Sequence, residues 1–400
     1  MTVLQTLLHS YPVEQFLKEN WTQRAVHLTA PRQRFQSLFG WASLNHLLNY
    51  QCLTAPTIRF SQDGQTLPHS RDPRRWREYL QQGATLIINE LHWRVPTIAT
   101  LATQLHQELG SRTQVNLYCS SPQQQGFDCH YDTHEVFILQ IDGSKEWVIY
   151  PPTIPFPTSE TRSPDHLPPE GDPELHCLVQ PGDLLYIPRG HWHYAVAQDS
   201  ISLHLTLGIH IPTGLEWLDW VSQHLADRPE WRQGLRLVDP DCPESVHHLG
   251  SHLSQLAEHL QTFLRDPATL HCYANDLALQ DQPHLPLDLP LQMRSDLFAD
   301  GLISRFAWSP WHRVRIKSVA VGHYQLIIGS KQIDLKGIPD ALVEQMSDHE
   351  SFSLFDLAEW APELDVDTDL VPLLERLVQA GILHLDTVAD PSLTESVKAY

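Results

Sequence analysis

Basic residues are scarce in this 400-residue chain: 27 Lys and Arg stand against 48 Asp and Glu, a formal net charge of −21. Nucleic-acid backbones are held by clustered Lys and Arg, so the deficit argues against direct DNA binding and favours a basic partner. Long hydrophobic runs are missing as well. No window reaches the roughly 18 consecutive apolar residues of a membrane span. The start, MTVLQTLLHSYPVEQFLKEN, has neither a basic n-region nor a small-residue cleavage site. The expectation is a cytoplasmic protein with no membrane partner. The six cysteines, Cys52, Cys119, Cys129, Cys177, Cys242 and Cys272, include no pair at two-residue spacing, which argues against a zinc knuckle or a local redox motif and leaves reduced, structural thiols.

What is present is an ordinary globular composition, 42% hydrophobic and 19% charged, in a chain long enough for two or three domains. From Pro12 to about Leu48 the spacing is helical, with Ser43 as a candidate cap for WASLNHLLN. GATLIINEL reads as a strand and TIATLATQLHQEL as a helix with Leu101, Leu105 and Leu109 on one stripe. Between about Gln114 and Ile211 the period becomes two, with turns at DGS, PGD and PRG, the pattern of a strand-rich barrel or jelly roll.

Beyond HIPTG the chain turns helical again. Val246, Leu249, Leu253, Leu256, Leu260 and Phe263 step by three and four, a short heptad seam that suits a homodimer contact or a helix packed on its own domain. PHLPLDLPLQM is a Pro-rich connector. After it, strand-like RVRIKSVAVGHYQLIIG, the LVEQMSDHESFSLFDLAEWA segment and the helix DLVPLLERLVQAG, which Gly381 can end, follow a winged-helix-like order. From Leu291 to Tyr400 nine basic residues face seventeen acidic ones, a net of −8, which opposes DNA reading.

The polar cluster lies in GFDCHYDTHEVFILQIDGSKEW, Gly126 to Trp147. If this stretch is a strand, His130 and Asp132 project to one side, two of the three ligands of a 2-His-1-carboxylate site for Fe(II). His134 shares that face but would stand about 13 Å from His130 at roughly 3.3 Å per residue, too far for the same ion. The distal histidine is sought in PGDLLYIPRGHWHYAV, where alternation leaves His191 and His193 both open. FILQIDGSKEW reads as a hairpin about Asp142-Gly143, returning Lys145 beside the metal strand, where its ammonium can meet a carboxylate.

With those residues assembled, the chain resembles the JmjC-type iron(II)- and 2-oxoglutarate-dependent oxygenases, and within them the ribosomal oxygenase branch. The matching runs are NLY at Asn116 to Tyr118, QGFDCHYDTHEVFILQIDGSKEW, PGDLLYIPRGHWH and SLHLTLG. The resemblance implies an α+β protein: a double-stranded β-helix (jelly-roll, cupin-like) JmjC domain over 1–212, a helical dimerisation-type segment over 213–285 and a winged-helix-like domain over 291–390. It implies Fe(II) held by His130, Asp132 and His193, with 2-oxoglutarate and O2 as co-substrates. Lys145 matches the family's anchor for the far carboxylate of 2-oxoglutarate and Thr206 an assisting hydroxyl, while Asn116 and Tyr118 match the substrate side of the pocket. Gly208 stands where the family usually has a serine, which removes a side chain beside the substrate and would admit a different residue or a bulkier ligand. "FDC" precedes His130 where a proline is common. The implied activity is hydroxylation of an Arg or His side chain of a basic, ribosomal protein. The alternatives are oxygenation of a small metabolite and a non-catalytic metal-binding cupin module.

Overall fold

Period-two alternation between residues 112 and 210 builds the sheets that organise the first half of the chain. A computed structural model gives the architecture for residues 2–62, 64–235, 239–279, 297–309, 314–328 and 331–386. Two compact units form, Met1–Trp217 and Leu218–Tyr400.

In the first unit the elements run α1 (Val3–Leu8), α2 (Val13–Glu19), β1 (Val26–Leu28), α3 (Trp41–Tyr50), β2 (Ile58–Gln62), β3 (Gln65–Thr66), α4 (Pro73–Gln81), β4 (Thr85–Ile88) and α5 (Pro96–Leu109). Then come β5 (Arg112–Ser120), β6 (Glu135–Asp142), β7 (Lys145–Tyr150), β8 (Leu175–Val179), β9 (Leu184–Ile187), β10 (Trp192–Ala197) and β11 (Ser202–His210), and α6 (Gly214–Leu225) crosses into the second unit. Eight strands form one sheet in the order β1-β9-β6-β11-β5-β4-β2-β3, and three form another, β10-β7-β8. The pairings are antiparallel. The inner faces meet in a core of Val136, Ile138, Trp147, Ile149, Val179, Leu185 and Ile187. This is an α+β, cupin-like sandwich.

The strand β11 shows why the site lies where it does. Leu203, Leu205, Leu207 and Ile209 point to the helix-covered side, where they join Phe16, Leu44 and Leu105 in one core. The alternate residues His204, Thr206 and Gly208 therefore face the interior of the sandwich, opposite Tyr118, Asn116 and Gln114 of β5. Truncating one such buried leucine to alanine costs about 2–5 kcal/mol, so the register that sets the inward row is firmly held.

Several local expectations change. Ser43 lies inside α3, whose N-cap is Gly40. The helical reading of 12–48 is interrupted by β1. The buried stripe of α5 runs through Ile98, Ala102 and Leu105, leaving Leu101 and Leu109 at its edge. The residues around Asp142-Gly143 do not form a hairpin: β6 pairs with β11 and β9, whereas β7 pairs with β10 and β8, so the turn is a corner between sheets. Gly143 is needed there, at φ 63°, because a Cβ would stand 2.2 Å from the Ile201 carbonyl oxygen.

The second unit continues with α7 (Pro229–Arg232), α8 (Pro243–Arg265), α9 (Pro267–Leu279), β12 (Arg305–Trp308), β13 (Arg315–Ala320), β14 (His323–Ile328), β15 (Lys331–Lys336), α10 (Asp340–Asp348), β16 (Ser351–Ser353), α11 (Leu354–Trp360), α12 (Val371–Gln379) and β17 (Leu383–Leu385). The strand-like run before Ile328 is a hairpin, β13 and β14, turning at Gly322 with φ 65°. A Ser353–Asp356 capping box starts α11. After α12, Gly381 takes φ 75° and donates to Val378 O at 2.9 Å while Ile382 donates to Leu377 O at 2.9 Å. The Pro-rich connector at 283–293 lies outside the described residues.

Candidate active site

The segment from Gly126 to His134 is a loop, with one isolated bridge between His130 and His193, and β6 begins only at Glu135. The sequence expectation of a continuous strand fails here because the loop is laid against the entry to β10: His193 N donates to His130 O at 2.7 Å, His130 N to His193 O at 3.1 Å, and Gly190 N to Asp132 O at 2.8 Å. These bonds bring His130, Asp132 and His193 together without a shared strand face. One ligand atom from each lies within 4.8 Å of the others. His193 Nε2 stands 3.6 Å from Asp132 Oδ2, and the two imidazole centroids are 4.5 Å apart.

The protonation pattern follows from partners. His130 Nδ1 donates to Asp128 O at 2.8 Å and His193 Nδ1 to His191 O at 2.9 Å. A carbonyl only accepts, so Nδ1 carries the proton in both rings and each Nε2 presents a lone pair. Burial, reinforced by His130, pushes the His193 pKa down to about 4, which keeps that imidazole neutral. Burial alone would raise the Asp132 carboxyl, but His134, His193 and His130 outweigh it and hold the group below the usual range. Two imidazoles, each turned by its Nδ1–H bond to present Nε2, and one carboxylate form the donor set of the 2-His-1-carboxylate type, and it fits a divalent iron.

His191 is drawn elsewhere. The turn through Gly190, at φ 84°, places it before β10 begins, where its Nε2 meets Glu174 Oε2 at 3.3 Å. His134 is also outside the cluster, its ring packed edge-on against His210 at 4.6 Å. Its Nε2 would be 2.7 Å from a Cβ built on Gly208. The missing side chain at 208 therefore opens no extra room, contrary to the sequence reading, because the His134 imidazole fills that space.

The candidate metal-ligating cluster opens into a cavity of about 250 Å³, and both Lys145 and Thr206 line it. Lys145 is 4% exposed, with no carboxylate in ion-pair range among the described residues. Burial lowers its pKa to about 8, with Cys119 opposing. Two polar atoms in this wall, Trp147 Nε1 and His204 Nδ1, are buried without a hydrogen-bond partner among the described residues. Buried polar groups are normally paired, so a cavity offering an ammonium and an indole N–H suits an anionic occupant. Burial, then the Lys145 charge, holds His204 neutral. Tyr118 stacks on His204 at 5.1 Å and 7°, and burial, aided by Asp132, pushes its phenol up to about 12.

Of the expected substrate-side residues, Tyr118 lines the cavity, whereas Asn116 and Gly208 share its inward face outside the lining. Asn116 instead accepts from Glu90 N at 3.0 Å. Sequence reasoning missed His204, Trp147 and Arg59, which also line the cavity. Alternation with Thr206 was a usable signal for His204. Arg59 reaches the site through the β2–β4 pairing, which no local pattern announces.

Residues 90–217 match the JmjC domain family. Over that stretch the chain is similar to a JmjC domain. Among similar proteins, ribosomal oxygenase 1 of Rattus norvegicus is 32% identical over 228 residues, covering 52% of this chain and 37% of that protein. The bifunctional lysine-specific demethylase and histidyl-hydroxylase NO66 of Drosophila persimilis is 30% identical over 225 residues, covering 52% and 31%. The chain thus spans about a third of the length of these relatives. The solved structure of Escherichia coli YcfD, a ribosomal oxygenase in complex with cobalt and 2-oxoglutarate, superposes with TM-score 0.60 at 17% identity, covering 94% of this chain and 99% of YcfD. At that identity the likeness shows the fold. JmjC oxygenases use Fe(II), 2-oxoglutarate and O2, and the donor set and cavity within this JmjC-like stretch are of the kind that suits them.

Proposed function

We propose that the chain is an Fe(II)- and 2-oxoglutarate-dependent oxygenase that hydroxylates a side chain, Arg or His, of a basic ribosomal protein. The observation that carries the reading is the convergence of His130, Asp132 and His193 at a cavity that also holds a buried lysine, with no carboxylate in ion-pair range among the described residues. His130, Asp132 and His193 would hold the iron, and Lys145 with Thr206 would hold the far carboxylate of 2-oxoglutarate. Iron(II) bound there supplies oxidation of a C–H bond to C–OH by O2, coupled to conversion of 2-oxoglutarate into succinate and CO2. The protein's own part is to present two lone pairs and a carboxylate on one side, to anchor an anion by its charge, and to wall the reacting space with Tyr118, Trp147 and Phe127. The similarity to ribosomal oxygenases and to a histidyl-hydroxylase supports a protein substrate.

The net charge of −21 supports a basic substrate by long-range attraction, which must weaken as the Debye length shrinks from about 10 Å at 0.1 M salt to about 3 Å at 1 M. The test is incubation of the purified chain, iron(II) and 2-oxoglutarate with ribosomal proteins and their basic peptides, read by mass spectrometry for one added oxygen across a salt series. Site-specific hydroxylation that declines with salt supports the proposal. If only a small metabolite stimulates stoichiometric succinate release, the chain is a small-molecule oxygenase; if none does, it is a metal-binding module.

The same reading assigns a homodimer contact to α8 and a winged-helix-like role without DNA binding to the C-terminal strands and helices. Val246 and Leu253, two members of the heptad seam, are each 46% exposed while Phe263 is buried. The six cysteines are free, in keeping with the cytoplasmic location we assign.

A further inference from the structure

The second unit holds another group of metal-ligating side chains, one that the oxygenase reading does not use. Cys272 and Asp276, four residues apart on α9, share one helix face, and His224 of α6 meets them. One ligand atom of each lies within 4.8 Å of the other two. His224 Nε2 and Asp276 Oδ2 are 3.7 Å apart, too far for a hydrogen bond. Nitrogen, oxygen and sulfur donors arranged tetrahedrally about one zinc-sized ion, at bonds of about 2.0 to 2.3 Å, stand roughly 3.3–3.7 Å from one another.

A buried tryptophan aligns two of the three ligands. His224 Nδ1 donates to the Trp220 carbonyl at 2.9 Å, so its proton sits there and the Nε2 lone pair faces Asp276 and Cys272. Trp220 Nε1 donates to Asp276 Oδ2 at 2.7 Å, and its indole stacks on the His224 ring at 3.9 Å. Metal-ligating histidines and carboxylates are commonly oriented by such second partners.

We propose that His224, Cys272 and Asp276 form a site for a zinc-class divalent cation that ties α6 to α9. Thiolate and imidazole select this class over magnesium or calcium, and the exposed Cys272 leaves a fourth position open to water. Binding exchanges the Cys272 thiol proton for the metal–sulfur bond, the proton passing to solvent with no change of oxidation state.

The test uses the full chain stripped by chelation and titrated with Co(II), whose thiolate complexes absorb in the near ultraviolet. The His130–Asp132–His193 cluster contains no sulfur, so its cobalt lacks that band. We expect the band in the wild type, its retention in a His130→Ala/His193→Ala chain, and its loss in Cys272→Ser and His224→Ala. Trp220→Phe should weaken cobalt binding at this site about tenfold or more. Because Cys272 is exposed, the serine variant should keep its circular dichroism. Absence of the band from the wild type, or its persistence in Cys272→Ser, as a complex through Cys129 would give, overturns the proposal.

Discussion

Replacing Lys145 by methionine separates the two consequences of burying an ammonium. Methionine keeps an unbranched, flexible side chain of similar reach, so the main change is loss of charge. Burial moves the lysine pKa from its ordinary 10.5 to about 8, which corresponds to about 3 kcal/mol against the charged form. The free chain bears that cost at neutral pH, so Lys145→Met should be more stable in the absence of ligand, by up to about 3 kcal/mol below pH 8. Between pH 8 and 10.5 the unfolded chain binds the proton that the folded chain has lost; wild-type stability therefore rises with pH through that window, and the advantage of methionine disappears above it. The same change removes a charge-assisted bond to the far carboxylate of 2-oxoglutarate, worth about 1.5–3 kcal/mol, so the Kd should rise at least tenfold. Wild-type affinity should also fall as pH climbs past about 8. Urea denaturation across pH and anaerobic calorimetry on the metal-loaded chain measure the two effects. A variant no more stable at pH 7 and no weaker in binding would place the ammonium in water and refute the reasoning.

His193→Ala should abolish iron binding and 2-oxoglutarate turnover, whereas His191→Ala should keep the iron and lose only the Glu174 contact; equilibrium dialysis with iron(II) distinguishes them. Charges at Leu253 and Leu256 should convert a dimer into monomer by light scattering, and a wild-type monomer at micromolar concentration would end the α8 assignment. Gly208→Ala should lower stability by about 1–3 kcal/mol through its clash with His134, and His134→Ala in the same chain should restore most of it in thermal unfolding.

The candidate metal ligands were legible as residue types before their geometry was. His-x-Asp announced a pair of ligands, yet the strand argument that joined them does not operate in the folded chain, where the segment is a loop pinned to β10. The residues alone left His191 and His193 open, since strand alternation treats them alike. The structure distinguishes them through the turn at Gly190, a backbone event two or three residues long that periodicity does not resolve. Alternation did operate in β11, where SLHLTLG sends leucines to the helices and His204 and Thr206 inward.

The corner after Asp142 shows where local reading stops. Asp-Gly signals that the chain reverses, and Gly143 is indeed held at positive φ by the close Ile201 carbonyl. Which strand the returning segment joins is decided by something nonlocal. β6 is buried along nearly its whole length, with β11 and β9 taking its two edges, so no edge remains for β7. β7 must cross to the second sheet, where Trp147 and Ile149 complete the inner core and Lys145, paired with Ala197 and Val179, is left facing the cavity. A hairpin would instead have laid β7 along an edge of β6. The buried charge that faces the cavity therefore arises from the change of sheet, and the glycine that permits the change matters to that placement as much as the lysine itself.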